Sequence, residues 1–271
     1  MNNFLQEIIC CPDCRGNLEF QNNSIKCLKC SVKFKIDENI PLMFSNKKTS
    51  NSSMKEYLEC YEKISKDDIK NPFEDLTTKR KRHRSLKKFI GNTKNKKILD
   101  IGAAQGFFLK MLEGQRVAFD ISVDYLKLAQ KSGLISVAGL AEALPFKNEV
   151  FDIVVCADIL EHVIQPKEVL REAFRVLVPG GKLFLEVPYK EDLSIYKIYN
   201  GKYKFTHLRS FDEKILFELL SSCGFTISRQ SFCLHKLPKL PFKIGSIFKY
   251  LPEKIQALFL QPLFIQIEAK K

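Results

Sequence analysis

Two acids, Asp100 and Asp120, stand twenty residues apart, and each closes a short apolar run. That arrangement leaves little freedom in how the chain can fold. Lys97-Ile98-Leu99-Asp100-Ile101 reads as a strand. Gly102-Ala103-Ala104-Gln105-Gly106 is a bend of small residues, and Phe107-Phe108-Leu109 opens an apolar pattern of helical spacing. Strand, tight loop and helix put backbone N–H groups at the carboxyl edge of a sheet, pointing outward. Gly102 and Gly106 allow a sharp bend and a close approach by a ligand. Arg116-Val117-Ala118-Phe119-Asp120 is the next strand, and an acid at its tip can accept both hydroxyls of a ribose. The loop alone fits an ordinary strand-to-helix turn equally well; the second acid tips the reading toward ligand binding.

The alternation continues. Ser122 caps a helix running through Leu126 to Gln130, Leu134 to Ala138 is a third strand, and Gly139 to Phe146 is a loop. Phe151-Asp152-Ile153-Val154-Val155-Cys156 is nearly all apolar, as a parallel strand buried on both faces should be. A helix from Lys167 to Leu177, the turn Pro179-Gly180-Gly181 and a fifth strand from Lys182 to Val187 follow. Asp212 caps a helix that ends near Gly224. Such a series predicts a parallel sheet with helices on both faces.

Ahead of it lies a unit of another kind. Cys11-Pro12-Asp13-Cys14 and Cys27-Leu28-Lys29-Cys30 are two C-x-x-C knuckles with 12 residues between them. Two knuckles supply the four thiolates of a tetrahedral structural zinc site, and so short a unit needs a metal to fold. A redox motif would need only one knuckle. Cys10 adjoins Cys11, but Cys11 has the ligand spacing. Leu18–Phe20 and Ser24–Lys26 alternate as a small hairpin. Residues 45–53 form a polar linker. Residues 54–90 read as amphipathic helix broken near Asn71-Pro72, a lid or brace for the sheet that follows.

The nine cysteines are odd in number, which favours metal over disulfides and a reducing compartment. No charged-then-apolar leader and no run of 18 apolar residues is present, which predicts a cytoplasmic chain without a transmembrane segment. The net charge of +13 is densest in Lys79-Arg80-Lys81-Arg82-His83-Arg84-Ser85-Leu86-Lys87-Lys88, with no acid from Leu76 to Leu99. That run reads either as a solvated helix face or as a polyanion-binding stripe.

Taken together, Leu99-Asp100-Ile101-Gly102, Gly106, Asp120, Ala141-Glu142-Ala143-Leu144-Pro145-Phe146, Phe151-Asp152, Leu160-Glu161-His162-Val163 and Arg175 to Gly181 resemble the class I S-adenosylmethionine-dependent methyltransferases of the type 11, ubiquinone-biosynthesis-like kind. The resemblance spans about residues 97 to 232. Ile9 to Leu18 and Glu38-Asn39-Ile40-Pro41 resemble the small Cys₄ zinc ribbons found beside or fused to methyltransferases, with Asn39 in place of the usual Gly. The implied fold is α/β: a Rossmann-like, seven-stranded, mostly parallel doubly wound sheet with a small N-terminal zinc ribbon, its last strand near Phe264–Ala269. The implied divisions are a zinc-ribbon domain at 1–48, a linker and helical lid at 49–90, and a methyltransferase domain at 91–271. S-adenosyl-L-methionine is the implied cofactor and zinc the structural metal, on Cys11, Cys14, Cys27 and Cys30.

The resemblance also distributes roles. Asp100 with Gly102, Ala104 and Gly106 holds the amino-acid end of the cofactor. Asp120 takes the ribose, Ile121 meets the adenine, the Ala141-Glu142 backbone meets its edge, and Ala157 faces the methyl donor. Ala104 replaces a usual Gly, and positive φ is costly for it; Leu140 replaces an acid that often meets the adenine amino group. Both departures also fit a non-catalytic scaffold. His207, Asp158 and His162 are the candidate bases, with His207 preferred because it lies in the variable stretch 189–211, rich in Tyr, Phe and Lys, beyond the fifth strand. That stretch and the apolar, lysine-bearing tail 236–262 point to a small-molecule, lipid or glycan acceptor, with peripheral membrane contact as a further expectation. The zinc ribbon and the basic segment 79–97 support an alternative, an rRNA or tRNA acceptor bound through both.

Overall fold

The computed structural model describes residues 2–72, 75–194, 203, 206–236 and 261–271. The chain opens with helix α1 (Asn3–Ile8) and an antiparallel sheet ordered β1 (Leu18–Gln21), β2 (Ser24–Cys27), β3 (Lys33–Asp37) and β4 (Ile40–Pro41). Helices α2 (Asn46–Thr49), α3 (Ser52–Lys70) and α4 (Leu76–Ile90) follow. Then come β5 (Lys97–Ile101), β6 (Gln115–Asp120), α5 (Val123–Lys131), β7 (Ile135–Ala138), β8 (Phe151–Ala157), α6 (Pro166–Val176), β9 (Leu177–Pro188), α7 (Glu213–Ser221), β10 (Thr226–Lys236) and β11 (Gln261–Lys270). The seven-stranded sheet has the order β10-β11-β9-β8-β5-β6-β7. β11 runs antiparallel to both neighbours, and the other pairings are parallel.

Period-two alternation explains the two-sided burial. Leu99, Ile101, Val117 and Phe119 face one layer, with Val169, Leu170 and Ala173 of α6 and Leu216 and Leu220 of α7. Ile98, Ala118 and Val155 face the other, with Leu86, Phe89 and Ile90 of α4 and Leu126 and Ala129 of α5. The first layer also takes in Leu5, Ile8, Cys11, Ile25 and Cys27, so the cysteine unit shares its core with the sheet. Main-chain bonds reinforce that join: the Cys10 amide donates to Pro145 at 2.9 Å and the Met43 amide to Ala138 at 2.7 Å.

Two local expectations change. Residues 45–53 are not a plain linker: Ser45 caps α2, and the knuckle residue Asp13 accepts from the amides of Asn46 and Lys47. The helix expected after Gly106 is a single 3₁₀ turn, Leu109–Met111. The segment between β5 and β6 must form the loop and also return along the sheet. Burial of Phe108, Leu109 and Leu112 anchors it before an α-helix can develop. The expected tail 236–262 falls largely outside the described residues, as does part of the stretch 189–211.

The central position of β5 fixes the site. The chain leaves β5 for β6 on one side and returns as β8 on the other, so the crevice lies at the carboxyl ends of β5 and β8, where open α/β sheets take ligands.

Candidate active site

A cavity of about 600 Å³ opens there, a volume suited to a nucleoside-sized ligand. Its floor holds Asp100, Gly102, Ala104, Asp120 and Ile121; Leu140, Ala141 and Glu142 close one side. Ala157, Asp158, His162 and His207 stand on the other. Gly106 is set back from the cavity. A Cβ there would lie 2.3 Å from Leu134 Cδ1, so its bare backbone serves the packing of the loop against β7.

Asp100 and Asp120 are 3% and 7% exposed. Burial, together with the charge of Asp120, pushes Asp100 up to about 8, and no hydrogen bond relieves it among the described residues. Burial raises Asp120 to about 6, offset by amides that hold its charged form. Those donors are Ala104, to Oδ2 at 2.8 Å, and Ser122, to Oδ1 at 2.8 Å. Ala104 adopts φ 45°, so the left-handed conformation expected of a glycine is kept with alanine. Glu142, raised by burial, accepts from the Gln165 amide at 3.4 Å.

At the far end the rings of His162 and His207 stand edge to face, centroids 4.5 Å apart. His162 Nδ1 meets the Thr206 carbonyl at 3.2 Å, and His207 Nδ1 meets Glu191 Oε2. Burial lowers His162 to about 4, helped by His207. Asp158, with φ 53° at the end of β8, is paired to Arg82. Arg82 also reaches Glu186 at 3.5 Å and lies over the Phe264 ring.

The roof comes from α3 and α4. Tyr57, Tyr61 and Arg82 reach into the cavity, and α3 is tied down where the Tyr125 hydroxyl donates to Asp68 at 2.7 Å and the Tyr203 hydroxyl to Asp67. Sequence reasoning missed Arg82, reading its run as a uniform surface stripe. The signal was its spacing: Arg82, Leu86 and Phe89 share one helix face, and all three are buried.

The four expected metal ligands gather in the N-terminal unit. The sulfurs of Cys11, Cys14, Cys27 and Cys30 lie within 4.8 Å of one another, with Cys11–Cys30 at 3.6 Å and Cys14–Cys27 at 3.4 Å. A tetrahedron of zinc–sulfur bonds near 2.3 Å needs sulfurs about 3.8 Å apart. The amides of Lys29 and Cys30 point to Cys27 Sγ at 3.4 Å. Gly16 lies so close that a Cβ would sit 3.1 Å from Cys27 Sγ and 2.6 Å from Lys29 Cβ. The donor set fits zinc, and Cys10 stands outside it.

With this geometry in hand, known proteins fall into place around the chain. Residues 99–185 match the family model for a methyltransferase domain. The ubiquinone biosynthesis O-methyltransferase of Pseudomonas fluorescens is 36% identical over 107 residues, 34% of this chain and 44% of that protein. An uncharacterised protein of Methanocaldococcus jannaschii is 35% identical over 133 residues, 47% of this chain and 63% of that protein. The chain therefore spans 44% and 63% of the length of these two relatives. A methyltransferase of Thermotoga maritima shares the fold at TM-score 0.56 and 21% identity, covering 80% of this chain and 99% of that one. A chain from the complex of the Haloferax volcanii Trm112 methyltransferase activator with a methyltransferase gives TM-score 0.58 at 15% identity, covering 79% and 96%. Residues 99–185 thus match the methyltransferase-domain model, and sheet order and crevice give the α/β part of this chain the fold of the class I methyltransferases.

Proposed function

We propose that this protein moves a methyl group from S-adenosyl-L-methionine to a small-molecule acceptor. One observation carries the reading: a buried carboxyl, Asp100, without a hydrogen-bond partner among the described residues, beside a second, Asp120, under a cavity wide enough for a nucleoside. A cation belongs against that pair, and the cofactor brings an ammonium and a sulfonium. Asp100 and the Gly102–Ala104 turn would hold the amino-acid end. The remaining lone pairs of Asp120 would take the ribose hydroxyls. Ile121 and Leu140 would cover the adenine, with the Ala141 and Glu142 backbone at its edge. Ala157, small and at the tip of β8, leaves room beside the methyl group.

The cofactor supplies an activated leaving group, so the chain's work is alignment and exclusion of water. Tyr57 and Tyr61 roof the crevice, and His162, His207, Glu191 and Asp158 mark the acceptor end. We assign handling of the acceptor's proton to His207 with its partner Glu191. The cavity, lined by Tyr57, Tyr61 and Phe108, supports a small acceptor, in keeping with the Pseudomonas O-methyltransferase among the relatives.

A nucleic-acid acceptor has its own support: Arg80, Lys81, Arg84, Lys87 and Lys88 remain exposed along α4. Retention on RNA that falls steeply with salt favours that reading. Transfer of tritium from labelled cofactor into fractionated metabolites, lipids and RNA tests both: label in the metabolite fraction supports the proposal, and label confined to RNA overturns its acceptor.

A further inference from the structure

Helix α3 lies outside both main layers of the core. Its buried apolar residues are Met54 and Tyr57, and they form a small cluster of their own with Leu140, against which Ile121, Tyr61 and Leu58 pack. Leu140 and Ile121 are the residues that would cover the adenine. By contrast, α4 sends Leu86, Phe89 and Ile90 into a main layer. An element with so few buried apolar contacts opens more readily than the sheet it covers.

A second hold on α3 is polar, and it sits at one end. Tyr57, Tyr61, Ile64 and Asp68 recur at helical spacing and all line the cavity, so one face of α3 is the roof. At the foot of that face the Tyr125 hydroxyl donates to Asp68 at 2.7 Å. The Tyr203 hydroxyl donates to the adjoining acid, Asp67, and Lys63, one turn earlier, lies over the Tyr203 ring at 5.9 Å. Neighbouring residues of a helix point in different directions, so the two phenols hold α3 from two sides. Water replaces such ties when the helix lifts, so they oppose opening only modestly.

The two phenols belong to different halves of the cleft. Tyr125 lies in the first turn of α5, where its amide donates to Ser122 Oγ at 3.3 Å and the Ser122 amide donates to Asp120 Oδ1 at 2.8 Å. Tyr203, 4% exposed, comes from the stretch 189–211 that borders the acceptor end. A path of contacts therefore runs from Asp120 through Ser122, Tyr125 and the end of α3 to Tyr203.

We propose that α3 is a gate that lifts to admit the cofactor and, on closing over it, sets the acceptor side through Asp67 and Tyr203. That it gates S-adenosylmethionine rests on the reading of the crevice given above. With α3 down, Tyr57 packs on Leu140, and the two are 3% and 1% exposed. A purine ring that settles against Leu140 has to part them. Cofactor held beneath the helix then adds contacts to the closed form, Asp67 meets Tyr203, and the acceptor wall is completed. Cofactor binds first and acceptor second. Asp67 and Tyr203 act as positioning residues. By linkage, the tie between them also slows escape of the cofactor.

The test uses the full chain with zinc in its ribbon and follows amide hydrogen exchange with and without S-adenosylmethionine. In the ligand-free protein the α3 amides should exchange faster than those of β5 and β8 by about tenfold or more. Saturating cofactor should slow exchange in α3 and in residues 206–211 by about tenfold or more. Tyr203→Phe should keep the protection of residues 102–106, lose that of 206–211, and release cofactor about fivefold faster in a stopped-flow chase. Should Tyr203→Phe fail to fold, Asp67→Asn carries the same expectations. Exchange of α3 at the rate of the sheet, or a variant whose protection and release match those of the natural chain, overturns the gate. Calorimetric titration keeps the two readings apart. A chain that binds no S-adenosylmethionine at millimolar concentration loses the reading of the crevice and the gate with it; a chain that binds it with α3 exchange unchanged loses the gate alone.

Discussion

The Ala104 amide donates to Asp120 Oδ2 at 2.8 Å, so the acid at the tip of β6 holds the loop that follows β5. One carboxylate thus ties together both halves of the proposed cofactor cleft, and its second oxygen fixes the start of α5 through Ser122. Hydrogen bonds to a charged acceptor are worth about 1.5–3 kcal/mol each. Asp120→Ala should therefore weaken S-adenosylmethionine binding by about 100-fold and loosen residues 102–106. Hydrogen exchange of the Ala104 and Ser122 amides checks the second effect: both should exchange faster in the variant.

Asp100 gives a pH dependence with a definite sign. Its folded-state value near 8 lies above the ordinary carboxylate range, so the folded protein holds a proton there that the unfolded chain has released. Stability is then lost as pH rises toward 8 and regained as pH falls below it. The ligand-free protein should melt roughly 3–5 °C higher at pH 6.5 than at pH 8.5. Asp100→Asn should flatten that dependence, stabilise the ligand-free protein at pH 8.5, and weaken cofactor binding by about 100-fold. Thermal melts at the two pH values and one binding titration decide it.

Arg82 is a buried cation facing two carboxylates. Removing one member of such a group leaves uncompensated charge, at a cost of about 3–5 kcal/mol. Arg82→Met should lower the melting temperature accordingly, and adding Asp158→Asn should restore part of the loss. A double variant no more stable than Arg82→Met would show that the pair contributes little to folding.

How much of this was legible beforehand follows from which forces act locally. The strands announced themselves because β5, β6 and β8 are apolar runs ending at polar tips, and alternation of strand and helix fixed the sheet's winding. The knuckles were legible because thiolate spacing is set within the turn. Arg82 was not, since a charge run hides the one member that turns inward, and only the partner carboxylates 76 and 104 residues further on reveal it. Glu161 was legible only as part of the Leu160–Val163 motif, because its neighbour His207 arrives from a distant segment. The missing helix after Gly106 reflects tertiary packing of Phe108 and Leu109 overriding a local helical pattern.

Because Leu5, Ile8, Cys11 and Cys27 share a core with the sheet, loss of zinc should be felt beyond the ribbon. Elemental analysis should find one tightly held zinc per chain. Chelation, or Cys14→Ser, should lower the melting temperature of the whole protein by at least ~5 °C. A melt unchanged on complete zinc removal would show that the ribbon's fold does not depend on the metal.

The central claim is that the crevice over Asp100 and Asp120 holds S-adenosylmethionine, and calorimetric titration of the purified chain with that compound tests it most directly. The account predicts one molecule bound per chain at micromolar concentration, with binding sharply weakened in Asp120→Ala. No heat of binding at millimolar ligand, or a variant that binds as tightly as the natural chain, would contradict it.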